Sequence, residues 1–324
     1  MAPLPARLLL DLPNWLGDFV HTLPAALRLC AAHGTGTATL LLPSAHAPLG
    51  RLLGAQTIVR NGREGYWWAR RRLAGRFDVA VTARHSTRAK LLLAGCRPVR
   101  ALSSAGRGAR LLGLEPFRLD RSRHQRHDLD AALERVGAQP VDDDPARLPL
   151  PDVIRRLGER RAAELADGRR PVALLPSSHA MPEKRWPAER FGTLGASLLG
   201  EGLRPLVVVG PGEGEMGAEV AARAGGRLVP VAWPLDEVAA VLAACAAAVG
   251  NDSGLTHLAA VAGSPTVALF GPTEPARTAP VGGARIVRPP EGAALAELTP
   301  SLVLAEMTEV LGRARGPRER VGAR

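Results

Sequence analysis

The stretch that decides the fold, residues 246–275, reads Ala-Ala-Ala-Val-Gly-Asn-Asp-Ser-Gly-Leu-Thr-His-Leu-Ala-Ala-Val-Ala-Gly-Ser-Pro-Thr-Val-Ala-Leu-Phe-Gly-Pro-Thr-Glu-Pro. It opens with an apolar run, and residues 251–253, Asn-Asp-Ser, are of the types that cap helix N-termini. Apolar residues then recur at helical spacing as far as Gly263, and a second apolar run follows at residues 266–270. Two strands joined by one short helix form a βαβ crossover, so this stretch predicts a parallel sheet.

The loop inside this stretch is a candidate binding site. Ligands of parallel α/β sheets bind beyond the carboxyl ends of the strands, which is where Asp252, Ser253 and Gly254 fall. Free backbone N–H groups at a helix N-terminus suit a phosphate, and Asp252 can accept hydrogen bonds from sugar or ribose hydroxyls. Taken alone, the motif is explained more simply as a capped helix without a ligand.

Length and composition indicate a two-domain globular protein. The chain has 324 residues, of which 46% are hydrophobic, enough to build two cores. We find no run long enough to span a bilayer and no signal peptide, and therefore expect a cytoplasmic protein. The odd number and wide spacing of the three cysteines predict reduced core thiols, neither a disulfide framework nor a zinc site; they are Cys30, Cys96 and Cys245.

The net positive charge lies entirely in the first half. Residues 1–165 hold 26 Lys and Arg against 15 Asp and Glu, whereas residues 166–324 hold 16 of each. This asymmetry predicts an anionic partner, such as a phosphorylated glycolipid or a membrane surface, although it could also serve solubility. No nucleic-acid-binding motif accompanies the charge, so we expect no nucleic-acid partner. The basic clusters are Arg70, Arg71, Arg72 and Arg76; Arg84, Arg88 and Lys90; and Arg118, Arg121, Arg123 and Arg126.

Strands and helices alternate along the first half, which predicts a parallel sheet covered on both faces. We predict strands at 7–12, 37–42, 58–59 and 77–81, and helices at 18–32, 48–53, 66–74, 87–94 and 124–137. From Arg97 to Arg123 the pattern weakens, and residues 103–108 are interpreted as a mobile loop. His124 and His127 could share one helix face and bind a metal, but without a third ligand we interpret them as helix surface.

The domain boundary is predicted within residues 139–151, which are rich in proline and aspartate. We divide the chain into domains at 1–150 and 151–324. Asp142 to Asp144 resemble a metal-binding D-x-D pattern, but their place between prolines favours a solvated loop. The second half then repeats the α/β alternation, with strands predicted at 172–175, 206–209 and 228–231 and helices at 188–199, 215–224, 235–245 and 300–312.

Three loops at predicted strand ends carry a resemblance to a known family. Residues 12–28 read Leu-Pro-Asn-Trp-Leu-Gly-Asp-Phe-Val-His-Thr-Leu-Pro-Ala-Ala-Leu-Arg, and residues 183–191 read Glu-Lys-Arg-Trp-Pro-Ala-Glu-Arg-Phe. Residues 250–260 read Gly-Asn-Asp-Ser-Gly-Leu-Thr-His-Leu-Ala-Ala. In this order, and with Phe-Gly-Pro-Thr-Glu-Pro at 270–275, they resemble the ADP-heptose:lipopolysaccharide heptosyltransferases of glycosyltransferase family 9.

The resemblance implies an α/β fold of GT-B type, in which two Rossmann-like domains with parallel sheets face a central cleft. The first domain would bind the acceptor and the second the nucleotide sugar. It further implies inverting transfer of heptose from ADP-heptose to an anionic glycolipid acceptor, the lipopolysaccharide inner core. No metal and no cofactor are implied. The basic first domain leads us to expect peripheral contact with the inner face of the cytoplasmic membrane.

Two residues receive catalytic roles from this resemblance. Asp18 would be the general base that takes the proton of the acceptor hydroxyl, although by position alone it would be interpreted as a helix cap. Lys184 would neutralise the departing diphosphate. Donor-binding roles are implied or considered for Ser177, Ser178, Lys184, Glu213, Asp252, Ser253, Gly254 and His257, and acceptor-binding roles for Asn14, Trp15, Arg84 and Arg88.

Two departures from the family pattern leave alternatives open. Residues 177–182, Ser-Ser-His-Ala-Met-Pro, stand where the family usually has a glycine-rich loop, and residues 99–103 replace an Arg-x-Gly-Tyr segment. One alternative is a GT-B enzyme that moves another activated sugar to a cell-surface polymer. The other is a non-catalytic protein that binds a nucleotide sugar. The presence of both Asp18 and Lys184 argues against this second alternative.

Overall fold

The computed structural model describes residues 7–33, 36–62, 64–106, 108–178 and 181–314. The chain divides into two compact units, Met1–Asp144 and Pro145–Arg324. The boundary lies within the proline- and aspartate-rich stretch, six residues before the position 150 chosen from the sequence. Residues 145–150 are tied to the second unit, because Ala146 N–H donates to Val281 O at 2.8 Å and Leu148 N–H to Val261 O at 2.8 Å.

The first unit is built on a parallel sheet of six strands in the order β3-β2-β1-β4-β5-β6. The central strand reads Leu-Leu-Leu-Asp with every residue buried, which is typical of a parallel strand covered on both faces. Leu10 of this strand lies between Leu40 and Val81 of its two neighbours. The strands are β1 (Leu8–Asp11), β2 (Ala38–Pro43), β3 (Gln56–Arg60), β4 (Val79–Thr82), β5 (Arg100–Ser104) and β6 (Glu115–Phe117).

Helices cover this sheet and largely match the predicted ones. They are α1 (Leu16–His33), α2 (Ala47–Leu52), α3 (Tyr66–Arg72), α4 (Thr87–Cys96) and α5 (Asp130–Arg135). Single 3-10 turns lie at Ser44–His46, Arg110–Leu112 and Gln125–His127. The apolar side of α3 and α4 packs on the sheet through Ala69, Leu73, Leu92, Leu93 and Cys96.

Three predictions for the first unit are wrong. Ser103 and Ser104 do not belong to a mobile loop but end β5, where both are buried. The helix predicted at 124–137 is a 3-10 turn followed by the shorter α5. His127 is not on a helix surface, since its side chain is only 3% exposed and hydrogen-bonds Asp130 and Asp143, each at 2.9 Å.

The second unit has a sheet of the same design, in the order β12-β11-β10-β7-β8-β9 and with every pairing parallel. Val249 of β10 lies between Leu174 of β7 and Val267 of β11. The strands are β7 (Arg170–Leu175), β8 (Leu203–Val207), β9 (Arg227–Leu228), β10 (Ala248–Asn251), β11 (Thr266–Leu269) and β12 (Arg285–Val287). The prediction of two α/β halves with parallel sheets is therefore confirmed.

Seven helices accompany this sheet within the described residues, together with 3-10 turns at Pro182–Lys184 and Leu295–Glu297. They are α6 (Asp152–Ala166), α7 (Ala188–Gly200), α8 (Gly214–Ala224), α9 (Leu235–Ala244), α10 (Gly254–Ala262), α11 (Pro275–Thr278) and α12 (Pro300–Ala314). Sequence reasoning missed α6, whose buried residues are only Gly158, Ala162 and Ala166. A seam of such small side chains lets α6 approach another helix closely but leaves little hydrophobic periodicity to detect.

The cysteines agree with their prediction. Cys30, Cys96 and Cys245 are buried free thiols. Burial raises the pKa of Cys96 and that of Cys245 to about 12, so neither forms a reactive thiolate near neutral pH.

Candidate functional site

In the second unit, the predicted donor-binding residues follow strands that end at one edge of the sheet. The chain winds outward from β7 to β8 and β9, and in the other direction from β10 to β11 and β12. The topological switch point therefore lies between β7 and β10, and ligands bind in the crevice beyond such a point. Ser177 and Ser178 follow β7, Glu213 follows β8, and residues 252–254 follow β10.

Asn251 joins the loops of this crevice. Its amide Nδ2 donates to Pro176 O at 2.7 Å, and its Oδ1 accepts from Trp186 N–H at 2.9 Å. Asn251 is the last residue of β10, not a helix cap as its sequence position suggested. The preceding Gly250 is required sterically, because a Cβ there would lie 2.4 Å from Thr256 Oγ1.

Asp252 is the centre of the polar network. Its Oδ2 accepts from Lys184 Nζ at 2.6 Å and from Thr273 Oγ1 at 2.7 Å, while its Oδ1 lies 3.2 Å from His257 Nε2. Burial alone would raise the pKa of Asp252, but its hydrogen bonds with His257, Lys184 and Thr273 hold it well below the usual range. Asp252 is therefore an ionised anchor that orients Lys184. Thr273 belongs to this site although sequence reasoning gave it no role.

Trp186 fixes the backbone next to Lys184. The indole is 1% exposed, donates from Nε1 to Leu298 O at 2.9 Å and packs edge-on against Phe191 at 4.9 Å. This buried anchor lies two residues after Lys184, whose side chain keeps 17% exposure. Arg185 is exposed instead, and its Nε donates to Ser178 O at 2.7 Å.

Two further predicted donor residues, Ser177 and Glu213, hydrogen-bond the same backbone N–H in the loop after β8. Gly210 N–H donates to Ser177 Oγ at 3.2 Å and to Glu213 Oε2 at 3.0 Å. Nearby in the fold, α10 begins at Gly254, and Ser253 is its N-cap without a side-chain capping bond. Such an end leaves backbone N–H groups for an anion.

In the first unit, a cavity of about 240 Å³ lies at the corresponding switch point between β1 and β4. Asp18, Asn14, Trp15 and Arg84 line it, so four of the residues predicted for catalysis and acceptor binding come together. Arg88 is not among the lining residues, and its Nε donates to Glu64 O at 3.0 Å. The lining residues are Pro13, Asn14, Trp15, Asp18, Thr22, Ala83, Arg84, His85, Ser86, Gln125, Arg126, Asp128 and Leu129.

Asp18 lies in the first turn of α1. Its Oδ1 accepts from Gln125 Nε2 at 3.0 Å, a neutral donor that keeps the carboxylate oriented without an ion pair at that atom. His85 lines the same cavity and hydrogen-bonds Ser104 Oγ through Nδ1 at 2.9 Å. Sequence reasoning missed Gln125 and His85, although His85 follows β4 as polar residues of a site often follow a strand.

A buried ion cluster backs this cavity. Asp11, fully buried at the end of β1, accepts through Oδ2 from Thr82 Oγ1 and from Arg84 Nε, both at 2.8 Å. Its Oδ1 lies 3.2 Å from Arg60 Nε, and Arg60 also donates to Asn14 Oδ1 at 2.7 Å. Burial lowers the pKa of Arg60, which the charge of Asp11 opposes. No pattern in the sequence indicates this cluster.

The predicted basic clusters are only partly on the surface. Lys90 is 4% exposed and Arg126 is 7% exposed, and Arg126 donates to Asp144 O at 3.2 Å. The three arginines at the end of α3, Arg70, Arg71 and Arg72, are exposed. Among the described residues, no group of three or more His, Cys, Asp and Glu could hold a metal ion. Nor does any helix in the described ranges have the length and apolar character needed to cross a membrane.

Comparison with known proteins gives consistent matches. A sequence model of glycosyltransferase family 9 (heptosyltransferase) matches residues 69–294. Lipopolysaccharide heptosyltransferase 2 of Escherichia coli strain K12 is 32% identical over 168 residues, covering 45% of this chain and 48% of that protein. The chain thus spans about half the length of the curated relative it matches.

Solved structures support the fold. The structure of E. coli ADP-heptose lipopolysaccharide heptosyltransferase II matches with a TM-score of 0.81 and 24% identity, covering 95% of this chain and 99% of that chain. E. coli heptosyltransferase WaaC, solved with ADP, matches with a TM-score of 0.74 and 20% identity, covering 94% and 99%. At these identities the likeness concerns architecture: two Rossmann-like α/β units, as in GT-B glycosyltransferases.

Proposed function

The chain belongs to glycosyltransferase family 9, the heptosyltransferases, and from that membership we propose that it transfers heptose from ADP-heptose to a lipopolysaccharide inner-core acceptor with inversion. The second unit would bind the donor and the first the acceptor. The Pro-Asn-Trp-Leu-Gly-Asp form of residues 13–18 favours the heptosyltransferase II type. The observation that carries the proposal is the presence of a polar site at the switch point of each sheet.

The donor role of the second unit follows from its charges and hydrogen-bond donors. Lys184, oriented by Asp252, supplies a cation, and the start of α10 supplies backbone N–H groups. Together they suit a diphosphate that gains negative charge as it leaves. Glu213 would accept hydrogen bonds from ribose hydroxyls, as acidic residues in Rossmann-like folds do.

The reaction would be a single displacement. Asp18 takes the proton of an acceptor hydroxyl, whose oxygen forms a bond to the anomeric carbon of heptose. The bond between that carbon and the diphosphate oxygen breaks, and ADP leaves with the electron pair. Attack on the face opposite the leaving group inverts the anomeric centre. Lys184 stabilises the departing charge.

Binding measurements can test the donor assignment and its rivals. We expect isothermal calorimetry to detect binding of ADP and ADP-heptose, and weaker binding of UDP- and GDP-sugars. Binding of a UDP-sugar without a response to ADP or ADP-heptose would overturn the donor assignment in favour of another GT-B activity. Binding of ADP-heptose with no transfer to any inner-core acceptor would favour a non-catalytic binder.

We also propose that the first unit contacts an anionic membrane surface through α3, α4 and the turn Arg110–Leu112, which pack side by side. On these elements five arginines are exposed, and none of the three elements carries an acidic residue; the arginines are Arg70, Arg71, Arg72, Arg88 and Arg110. Trp67 is 72% exposed and Leu111 is 92% exposed, so apolar side chains project among the arginines. Aromatic and basic side chains presented together suit the boundary between headgroups and acyl chains.

Vesicle sedimentation can test this contact. We expect the protein to sediment with vesicles containing phosphatidylglycerol, and much less with pure phosphatidylcholine. Trp67→Ala with Arg71→Glu should reduce sedimentation, because position 71 lies one turn from position 67 on the same face. The matched control is Val153→Ala with Arg156→Glu on α6, since Val153 is also 72% exposed. Equal loss in both variants, or none in the first, would contradict the assigned surface.

A further inference from the structure

Two ion pairs connect β1 to β4, one at each end of these neighbouring strands. At the amino ends, Arg7 pairs with Asp78 at 2.9 Å, and both side chains are partly exposed. At the carboxyl ends, Asp11 pairs with Arg84 at 2.8 Å, and Asp11 is fully buried. A carboxylate is costly to bury, so its place at the switch point calls for an explanation other than strand pairing.

Asp11 controls two of the side chains assigned to the acceptor. It accepts from Arg84 Nε, and it neutralises Arg60, whose guanidinium in turn holds Asn14 by the hydrogen bond to Oδ1. Arg84 and Asn14 both line the cavity that contains Asp18. Asp11 does not line that cavity, so it acts on the cavity through its partners.

Arg84 lines the cavity and keeps donor capacity beyond its bond to Asp11. Its Nε is engaged by Asp11, whereas its Nη2 is buried and has no hydrogen-bond partner among the described residues. Arg84 is 11% exposed in its side chain, which shields the guanidinium from water and strengthens its interaction with an anion. A guanidinium fixed beforehand also loses less side-chain entropy on binding.

We propose that Asp11 is a positioning residue for the acceptor: it fixes the Arg84 guanidinium directly, and Asn14 through Arg60, so that both meet an anionic acceptor beside Asp18. The inference rests on the proposed transferase function. The group that Arg84 and Asn14 would bind is anionic, a phosphate or a carboxylate on the acceptor sugar. Donor binding, which we assign to the other unit, is independent of Asp11.

Steady-state kinetics of the intact protein with ADP-heptose and a lipopolysaccharide inner-core acceptor test this. Asp11→Asn should raise the acceptor KM about tenfold or more, because the carboxylate charge that pairs with Arg84 and Arg60 is lost. The donor KM should change less than about twofold. Asp78→Asn is the matched control, and it should leave both constants unchanged. If Asp11 were merely structural, the active fraction would fall without a change in acceptor KM.

A double-mutant cycle shows whether Asp11 acts through Arg84. Arg84→Gln should raise the acceptor KM, and adding Asp11→Asn to it should raise the KM by much less than the product of the single effects. Independent, multiplicative effects would overturn the proposal. If Asp11→Asn does not fold, Thr82→Val removes a hydrogen bond from the same carboxylate, and an unchanged acceptor KM would then overturn it.

These outcomes are separable from failure of the proposed function. If the wild-type protein transfers heptose and Asp11→Asn leaves the acceptor KM unchanged, only the positioning role is wrong. If the wild-type protein transfers nothing from ADP-heptose, the function itself is wrong. To separate the acceptor groups, the same assay uses acceptor with and without phosphate. A fall in the Asp11→Asn effect on removal of phosphate identifies that group, and a persistent effect identifies a carboxylate.

Discussion

Lys184 and Arg185 are adjacent cations with different surroundings. Lys184 donates to the buried carboxylate of Asp252, whereas Arg185 is exposed and donates to a backbone carbonyl. A charge held in a shielded crevice acts more strongly on a diphosphate than one surrounded by water. The structure therefore favours Lys184 over its neighbour for the proposed role of stabilising the leaving ADP.

We predict that Lys184→Ala lowers kcat by about 100-fold or more, because the developing negative charge loses its cation. Arg185→Ala, the adjacent control, should retain kcat within about threefold. Both variants are measured with saturating ADP-heptose and acceptor. A larger loss for Arg185→Ala than for Lys184→Ala would exchange the roles of the two side chains.

The packing of α6 on α9 depends on small side chains. A Cβ added at Gly158 would lie 2.3 Å from the carbonyl carbon of Ala240, so the helices meet at backbone contact. Ala162 and Ala166 continue the same buried face of α6. The helix is thus placed by shape complementarity between backbones more than by large apolar side chains.

Gly158→Ala should destabilise the second unit by about 1–3 kcal/mol, although alanine is the better helix former, because the methyl group forces the helices apart. Gly200→Ala, at the end of α7, is the control, since an added Cβ there meets nothing within 4 Å. It should be neutral or slightly stabilising. Urea denaturation measures both, and equal stability of the two variants would contradict close packing at Gly158.

The 3-10 turn Ser44–His46 carries a buried histidine. His46 is 4% exposed and packs on Phe19 with ring centroids 5.1 Å apart. Burial, with a smaller contribution from the charge of Arg60, lowers the pKa of His46 to about 4 from its ordinary 6.5. Between about pH 4 and pH 6.5, the folded state therefore keeps this imidazole neutral while the unfolded chain takes up a proton.

This contribution to stability is present above pH 6.5 and is lost as the pH falls towards 4. We predict that the free energy of unfolding of the first unit falls by about 2 kcal/mol between about pH 7.5 and pH 5 through His46 alone. In His46→Gln this part of the decrease should disappear. Urea denaturation at both pH values measures the difference, and an identical decrease in the variant would exclude His46 as its source.

The sequence predicted the overall design because buried parallel strands are apolar along their whole length. Apolar runs such as Leu8 to Leu10 and Ala246 to Val249 predicted both sheets. The polar residues that follow these runs lie at the switch points. Asp18 and Lys184 could be named only through the family resemblance. By local sequence alone, Asp18 is equally typical of a helix cap, and Lys184 of a surface loop.

The features that were missed depend on partners far along the chain or on small side chains. Asp11 accepts a hydrogen bond from Arg84, 73 residues away, and His127 hydrogen-bonds Asp143, 16 residues away. The edge strand β6 reads Glu-Pro-Phe, too short and too polar for a periodic signal. In α6 the buried face consists of Gly and Ala, so hydrophobic periodicity gave no indication of it.

The whole molecule is proposed to act as a transferase whose base lies in one unit and whose donor site lies in the other. The most direct test is heptose transfer from ADP-heptose to an inner-core acceptor by wild type and Asp18→Asn, with ADP affinity measured for both. We predict transfer with inversion by wild type, and a kcat about 100-fold to 10,000-fold lower in Asp18→Asn with unchanged ADP affinity. Full activity of Asp18→Asn, or no transfer by wild type, would contradict it.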